Sequence, residues 1–200
     1  MQPTYLMSTP TSDKLRLALQ DNLQVILQEN QQLAQKLDLA AVVAVIPLIQ
    51  HAERIFVVGA GRTGLALKAA AMRLMHLGLT VFVVGETTTP AIKAGDLLLA
   101  GSGSGTTSSI VKAAEKAVAA GAQVVAISTT TTSPLANLAT QVVVLPAAQK
   151  QDHGGEISKQ YAGSLFEQGV LLLLDAIFQT LWGLDGTPAA ELWKRHANLE

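Results

Sequence analysis

Asp96-Leu97-Leu98-Leu99-Ala100-Gly101-Ser102-Gly103-Ser104-Gly105-Thr106-Thr107-Ser108-Ser109 is the stretch from which the rest of the chain can be read. Leu97 to Ala100 is apolar at every position, as a strand buried on both faces of a parallel sheet must be. Gly101, Gly103 and Gly105 then alternate with Ser102 and Ser104. Glycine lets a backbone turn sharply and come close to a ligand. Thr106 to Ser109 are good capping residues, so a helix is expected over 107–120. Free N–H groups and the positive end of the dipole at a helix start, with hydroxyl donors around them, favour an anion, phosphate above all. No Lys follows the glycines, so the nucleotide P-loop pattern is absent. A flexible serine-glycine linker has a similar composition, but a strand and a helix flank this loop tightly.

Working outward, short apolar, often β-branched runs predict strands over 54–58, 80–84, 96–100, 123–128 and 141–145, with helices between most of them. Repeated βαβ units of this kind give an α/β fold. The expected architecture is a three-layer αβα sandwich around a five-stranded parallel sheet. The helix over 65–77 is rich in Ala and Met and is expected to be buried. Ser133-Pro134 reads as an N-cap with Pro at the first helical position. Upstream, Leu15, Leu19, Leu23, Ile26, Leu27 and Leu33 recur at helical spacing. A second helix is expected over 39–50, with Pro47 as a kink or boundary. These helices could cover a sheet face or a neighbouring subunit. Residues 1–12 read as a flexible tail and 13–200 as a single domain. Downstream, the polar segment 146–161 is expected to be an ordered loop or lid. A long helix follows over 164–182, and Thr187-Pro188 starts a last short one.

Composition narrows the function. The net charge is −1, so nothing draws nucleic acid or an acidic membrane surface broadly. Charged residues are 14% of the chain, against roughly 25% in a typical soluble domain, so subunit interfaces are expected to cover much of the surface. There is no cysteine, which removes disulfide and thiolate chemistry and suits a cytoplasmic enzyme. The N-terminus carries no signal-peptide pattern. The apolar run over 170–174 is too short to span a bilayer.

Several residues are candidates for chemistry. Gly59-x-Gly61-x-x-Gly64 sits between a strand and a helix, and Glu86 lies 22 residues beyond Gly64, which is the spacing of a dinucleotide fingerprint. Arg62, inside that loop, would more naturally hold a substrate oxygen or phosphate. Ser164 and Glu167 have the spacing of a capping box, in which Glu167 would only hold backbone N–H groups. Yet Glu167, Leu171, Leu174 and Phe178 share one helical face that is otherwise apolar. A carboxylate turned inward suits a general base, so both readings stay open. Asp152-His153-x-x-Glu156 hints at a metal, but the intervening glycines read as a turn and no second His cluster supports it, so no metal and no cofactor are expected. His51 and His76 read as structural, and His196 by itself as a solvated tail residue.

Together the runs Val57 to Gly64, Val84 to Ile92, Gly95 to Leu98, Ser102 to Gly105, Leu165 to Gln168 and Arg195 to Glu200 resemble the 6-phospho-3-hexuloisomerase family of sugar isomerase (SIS) domain proteins. The Ser-Gly-Ser-Gly loop marks the SIS fold, a flavodoxin-like one. Val-Gly-Glu-Thr-x-Thr-Pro and the His-Ala-Asn-Leu-Glu ending are more specific to the isomerases. The resemblance implies interconversion of D-arabino-3-hexulose 6-phosphate and D-fructose 6-phosphate in the ribulose monophosphate pathway of formaldehyde fixation, without a cofactor. It implies that Ser102, Ser104 and Thr107 bind the substrate phosphate and that Gly61, Arg62 and Glu86 line the sugar site. It also implies that Glu167 is the base, that His196 assists from a neighbouring subunit, and that the protein is a homodimer or homotetramer. Thr106, Thr63 and the run Tyr161 to Ser164 depart from the common family pattern but leave those residues intact. The alternatives are a SIS binding module that senses a sugar phosphate without turning it over, and an NAD-dependent oxidoreductase using the Gly59 loop and Glu86.

Overall fold

The computed structural model describes residues 11–149 and 157–199. Five parallel strands carry the fold: β1 (Ile55–Gly59), β2 (Val81–Val83), β3 (Leu97–Gly101), β4 (Gln123–Ser128) and β5 (Gln141–Val144). Their order across the sheet is β2-β1-β3-β4-β5. The chain therefore reverses its direction of travel between β1 and β3, and that point opens a crevice at the carboxyl edge. The expected three-layer α/β sandwich is present.

Strand alternation sorts the core into two halves. Ile55, Val57, Leu97, Leu99, Val125 and Ile127 pack on one side against α3 (Val45–His51), α4 (Gly61–His76) and α7 (Ser164–Asp185). Phe56, Leu98, Ala100, Val124 and Ala126 pack on the other side against α5 (Ser108–Ala119) and α6 (Pro134–Leu138). β1 and β3 each begin one residue later than the apolar pattern suggests. Arg54 and Asp96 are instead joined at the amino edge, with Nη2 to Oδ2 at 2.6 Å and Nε to Oδ1 at 2.9 Å. Asp96 also accepts from the Lys93 amide at 2.7 Å. Burial acts to raise the Asp96 pKa, and these hydrogen bonds outweigh it and hold the carboxyl below its usual range.

Three expectations change. The second N-terminal helix is two, α2 (Leu39–Val43) and α3, which meet at Ala44 rather than at Pro47. Proline has no N–H for the carbonyl four residues back and its ring crowds that carbonyl, so the helix breaks one turn before it. α4 is not buried all round: Ala66, Leu67, Ala70 and Leu74 face the sheet, while Leu65, Met72 and Met75 are exposed. In α1 (Ser12–Gln35) only Leu33 is buried, and Leu15, Leu19, Leu23 and Leu27 face outward, so this helix does not cover the sheet. The capping expected of Ser133 holds, its Oγ accepting from the Ala136 amide at 3.1 Å with Pro134 next to it.

By length and composition α7 could cross a membrane, although its central apolar run alone could not. It packs along α4, and 56% of its apolar window is buried inside the fold, as in the core helix of a compact domain. The segment Asp152 to Glu156, with its suggested metal ligands, and most of the expected N-terminal tail lie outside the described residues.

Candidate active site

The fingerprint glycines do a packing task. α4 begins at Gly61, so Gly61 to Gly64 form its first turn and not a free loop. Gly61 itself has φ +57, which only glycine adopts easily. A Cβ on Gly64 would sit 2.5 Å from the Gly59 carbonyl oxygen, so glycine here lets α4 press against β1. Thr63, buried beneath, presents its methyl group towards Gly101 of β3.

Beside this contact, at the carboxyl ends of β1 and β3, lies an open cleft of about 180 Å³. Ser102, Gly103, Ser104 and Thr107 line it, with Ala60 and Thr63 on one side and Gly163 and Phe166 on another. Three helix N-termini therefore converge on it, those of α4, α5 and α7. Thr107 is the N-cap of α5, but its hydroxyl makes no cap bond. It pairs with Ser102 Oγ at 3.0 Å instead, so both hydroxyls belong to the cleft. The loop carbonyls are turned away from it. The Gly103 oxygen accepts from Ser128 Oγ, Thr129 Oγ1 and the Thr129 amide, and the Gly105 oxygen from the Leu135 amide. The amides of Gly103 and Ser104 make no hydrogen bond among the described residues. Carbonyls bound behind and amides free in front, with three hydroxyls beside them, form a cradle for a phosphate-sized anion.

Glu167 is 7% exposed, one turn into α7. The capping-box reading fails, because the N-cap is Gly163, in the left-handed region at φ +80, and Ser164 is already inside the helix. Ser164 Oγ instead accepts from Arg62 Nη1 at 3.2 Å, and the same nitrogen lies 3.1 Å from Glu167 Oε2. Leu171 is 38% exposed, so the buried face of α7 is rotated from the expected one and runs through Val170, Leu174 and Ile177. Glu167 stays on it. An aligned, buried carboxylate facing an arginine that is itself open to solvent can take a carbon-bound proton while the guanidinium stabilises the resulting oxyanion.

Other expected site residues stand elsewhere. Gly61, Arg62, Glu86 and Glu167 are all outside the lining of the cleft; Arg62 and Glu167 are the chain neighbours of its lining residues Thr63 and Phe166, whereas Glu86 is held by Lys68 at 2.6 Å, which keeps its carboxyl below the usual range. His196 stacks on His76 at 3.9 Å and meets Trp193 at 4.5 Å. His76 ends α4, whereas Arg62 begins it, so some 14 residues of helix, about 21 Å, separate His196 from the Arg62 of its own chain. Gln149 lines the cleft and donates to Thr129 Oγ1 at 3.1 Å; no motif in the sequence singles it out.

Residues 48–166 match the family model of the SIS domain. The chain belongs to the SIS domain family. Within it, this SIS protein is 57% identical over 180 residues to a 3-hexulose-6-phosphate isomerase of Mycobacterium gastri, with 90% of each chain covered. It is 40% identical over 153 residues to a 3-hexulose-6-phosphate isomerase of Bacillus subtilis, covering 76% of this chain and 83% of the other. Among solved structures it resembles a Methanococcus jannaschii protein for which a molecular function of 3-hexulose-6-phosphate isomerase has been inferred. That likeness has a TM-score of 0.78 and 30% identity, over 90% of this chain and 99% of the other. The glycine pattern of this SIS domain thus serves helix–strand contact, and its acidic residue in the turn after β2 is engaged by Lys68. Neither feature favours the dinucleotide reading.

Proposed function

We propose that the protein is a 3-hexulose-6-phosphate isomerase, interconverting D-arabino-3-hexulose 6-phosphate and D-fructose 6-phosphate. The observation that carries this reading is the Arg62–Glu167 pair beside the hydroxyl cradle, in a chain more than half identical to such an isomerase. The cradle of Ser102, Ser104 and Thr107 holds the substrate phosphate and anchors the far end of the sugar. Glu167 removes the proton from C2 of the 3-hexulose, giving an enediolate across C2 and C3. It then returns the proton to C3, so the carbonyl passes to C2. A hydroxyl proton must move from O2 to O3 in the same reaction. Arg62 can only donate hydrogen bonds, so it stabilises the oxyanions. His196, reaching in from a second copy of the chain, can both give and take that hydroxyl proton. Gly61 and Glu86 are assigned to an outer rim around the sugar, beyond the lining of the cleft, with Glu86 reaching the substrate only by leaving Lys68.

The 3-ketose 6-phosphate lacks a hydroxyl well placed for ring closure, so it is met in open-chain form. The outward leucines of α1 and the low charge of the chain support a homo-oligomer. The same reading assigns it to the cytoplasm and takes residues 13–200 as one domain. The test is incubation of the protein with fructose 6-phosphate, followed by phosphorus NMR. A second phosphomonoester, identified as the 3-hexulose phosphate, supports the reading. Binding of fructose 6-phosphate with no second ester overturns it in favour of a sensor.

A further inference from the structure

α7 has no side-chain cap, and its Glu167 needs a fixed position. Arg62 holds its first turn from α4, and a second set of bonds reaches it from α1. The segment before it is gripped by Glu29 of α1 with both carboxylate oxygens. Oε2 accepts from Ser158 Oγ at 2.6 Å and from Gln160 Nε2 at 3.0 Å, and Oε1 accepts from the Lys159 amide at 2.7 Å. The grip continues into α7. Gln160 Oε1 accepts from Gln168 Nε2 at 2.8 Å, and Gln168 Oε1 accepts from Asn30 Nδ2 at 2.6 Å. Asn30 is the chain neighbour of Glu29, so the bonds close into a ring through α1, the segment before α7, and the first turns of α7. Gln168 is the chain neighbour of Glu167.

We infer that Glu29 is a positioning residue for the base: the ring of Glu29, Gln160, Gln168 and Asn30 ties the segment before α7 and the second turn of α7 to α1, and so fixes where Glu167 stands. This rests on the proposed isomerase reading. Glu29 lies on the α7 side of the fold and bonds to no residue of the phosphate cradle. Its loss should therefore misplace the base and leave phosphate binding alone. A displacement of about 1 Å at a reacting centre is enough to cost roughly a hundredfold in rate. Side-chain bonds in one ring also act as a unit, so opening it at two places should cost no more than opening it at one.

The experiment compares the full-length wild type with Glu29→Ala, Glu29→Gln, Gln168→Leu and the double variant Glu29→Ala/Gln168→Leu. Four quantities are read: kcat, the Kd of fructose 6-phosphate, the deuterium that turnover in D2O brings into the sugar, and amide exchange across 157–168. Expected for Glu29→Ala is a kcat at least about tenfold lower, Kd within about twofold, more solvent deuterium, and faster exchange over 157–168 with the sheet unchanged. Glu29→Gln keeps one acceptor oxygen and should recover part of the rate. The double variant should match the worse single one. A kcat within twofold of wild type in folded Glu29→Ala, parallel losses of kcat and affinity, or multiplying losses in the double variant each overturn the inference. A wild type without turnover sinks the isomerase reading and this role with it. Unchanged amide exchange in Glu29→Ala sinks the ring whether or not the protein is an isomerase.

Discussion

Arg62 Nη1 stands 3.1 Å from Glu167 Oε2 and 3.2 Å from Ser164 Oγ, bringing the first turns of α4 and α7 together at one edge of the sheet. The arginine side chain is 60% exposed and the carboxylate 8%, so the pair has one open and one buried partner. Arg62→Ala should lower kcat by about a hundredfold, the usual cost of losing one oxyanion donor, while fructose 6-phosphate binding changes little. Arg62→Lys should rescue poorly, because an ammonium on a flexible stem does not reproduce the guanidinium fork. Steady-state kinetics beside calorimetric binding checks both.

Thr107 and Ser102 share a hydroxyl contact at the floor of the cradle. Thr107→Val keeps the shape and removes the donor. It should weaken binding of inorganic phosphate and fructose 6-phosphate about tenfold, since a hydrogen bond to a charged group is worth roughly 1.5 kcal/mol or more. The rate at saturating substrate should fall much less. Calorimetry with phosphate alone reads this without turnover.

Most of this site could be read from residue order, because a strand, a glycine-hydroxyl loop and a helix start are local features. That Ser102, Ser104 and Thr107 line one cleft follows from that local order alone. In the sequence Glu167 is only one of two open readings, a helix-capping residue or a base. Gly163 taking the left-handed N-cap removes the capping box, and the Arg62 contact, made between helices far apart in the sequence, is what the proposed base role rests on. The outward turn of Leu171 and of the α1 leucines was not legible, since helical spacing gives a stripe but not what it faces. The place of Glu86 was not legible either. It depends on Lys68, at a helix position that no motif marks. The Glu29 ring was invisible because single Gln, Asn and Glu residues carry no pattern.

His196 stacks on His76 at the far end of α4 from Arg62 of the same chain. If it acts, it acts on another copy. Glu167→Gln and His196→Ala should each be nearly inactive alone. Mixed and reassembled, they should regain roughly a quarter of wild-type activity, since random pairing gives some sites with both native residues. No regain on mixing would remove His196 from the site.

Gly64 is pressed against the Gly59 carbonyl. Gly64→Ala should destabilise by about 1–3 kcal/mol through overpacking, lowering Tm by roughly 3–10 °C. It should also lower activity by pushing Arg62 off its partners. Calorimetric unfolding checks the first effect and kinetics the second.

Stability should fall on acidification in two windows. His76 is buried and its imidazole is held below the usual range by burial, then by His196 and Arg73. The unfolded chain therefore takes up a proton first, and stability declines as pH drops below about 6.5. Asp96 has its folded pKa lowered by Arg54 and the Lys93 amide against the pull of burial, so its contribution is present above the unfolded value, about 3.9, and lost as pH falls through the folded one. Denaturant unfolding between pH 8 and 3 should show both declines. Asp96→Asn should lower stability at neutral pH and flatten the lower window, and His76→Gln should flatten the upper.

The most direct measurement is turnover of fructose 6-phosphate by the wild type beside Glu167→Gln, with EDTA present and with the Kd of each protein for the same sugar phosphate. The account predicts conversion to the 3-hexulose phosphate by the wild type, and a kcat at least about a thousandfold lower in the variant with Kd within a few-fold. Equal turnover by the two proteins would contradict it and leave Glu167 as only a partner for Arg62.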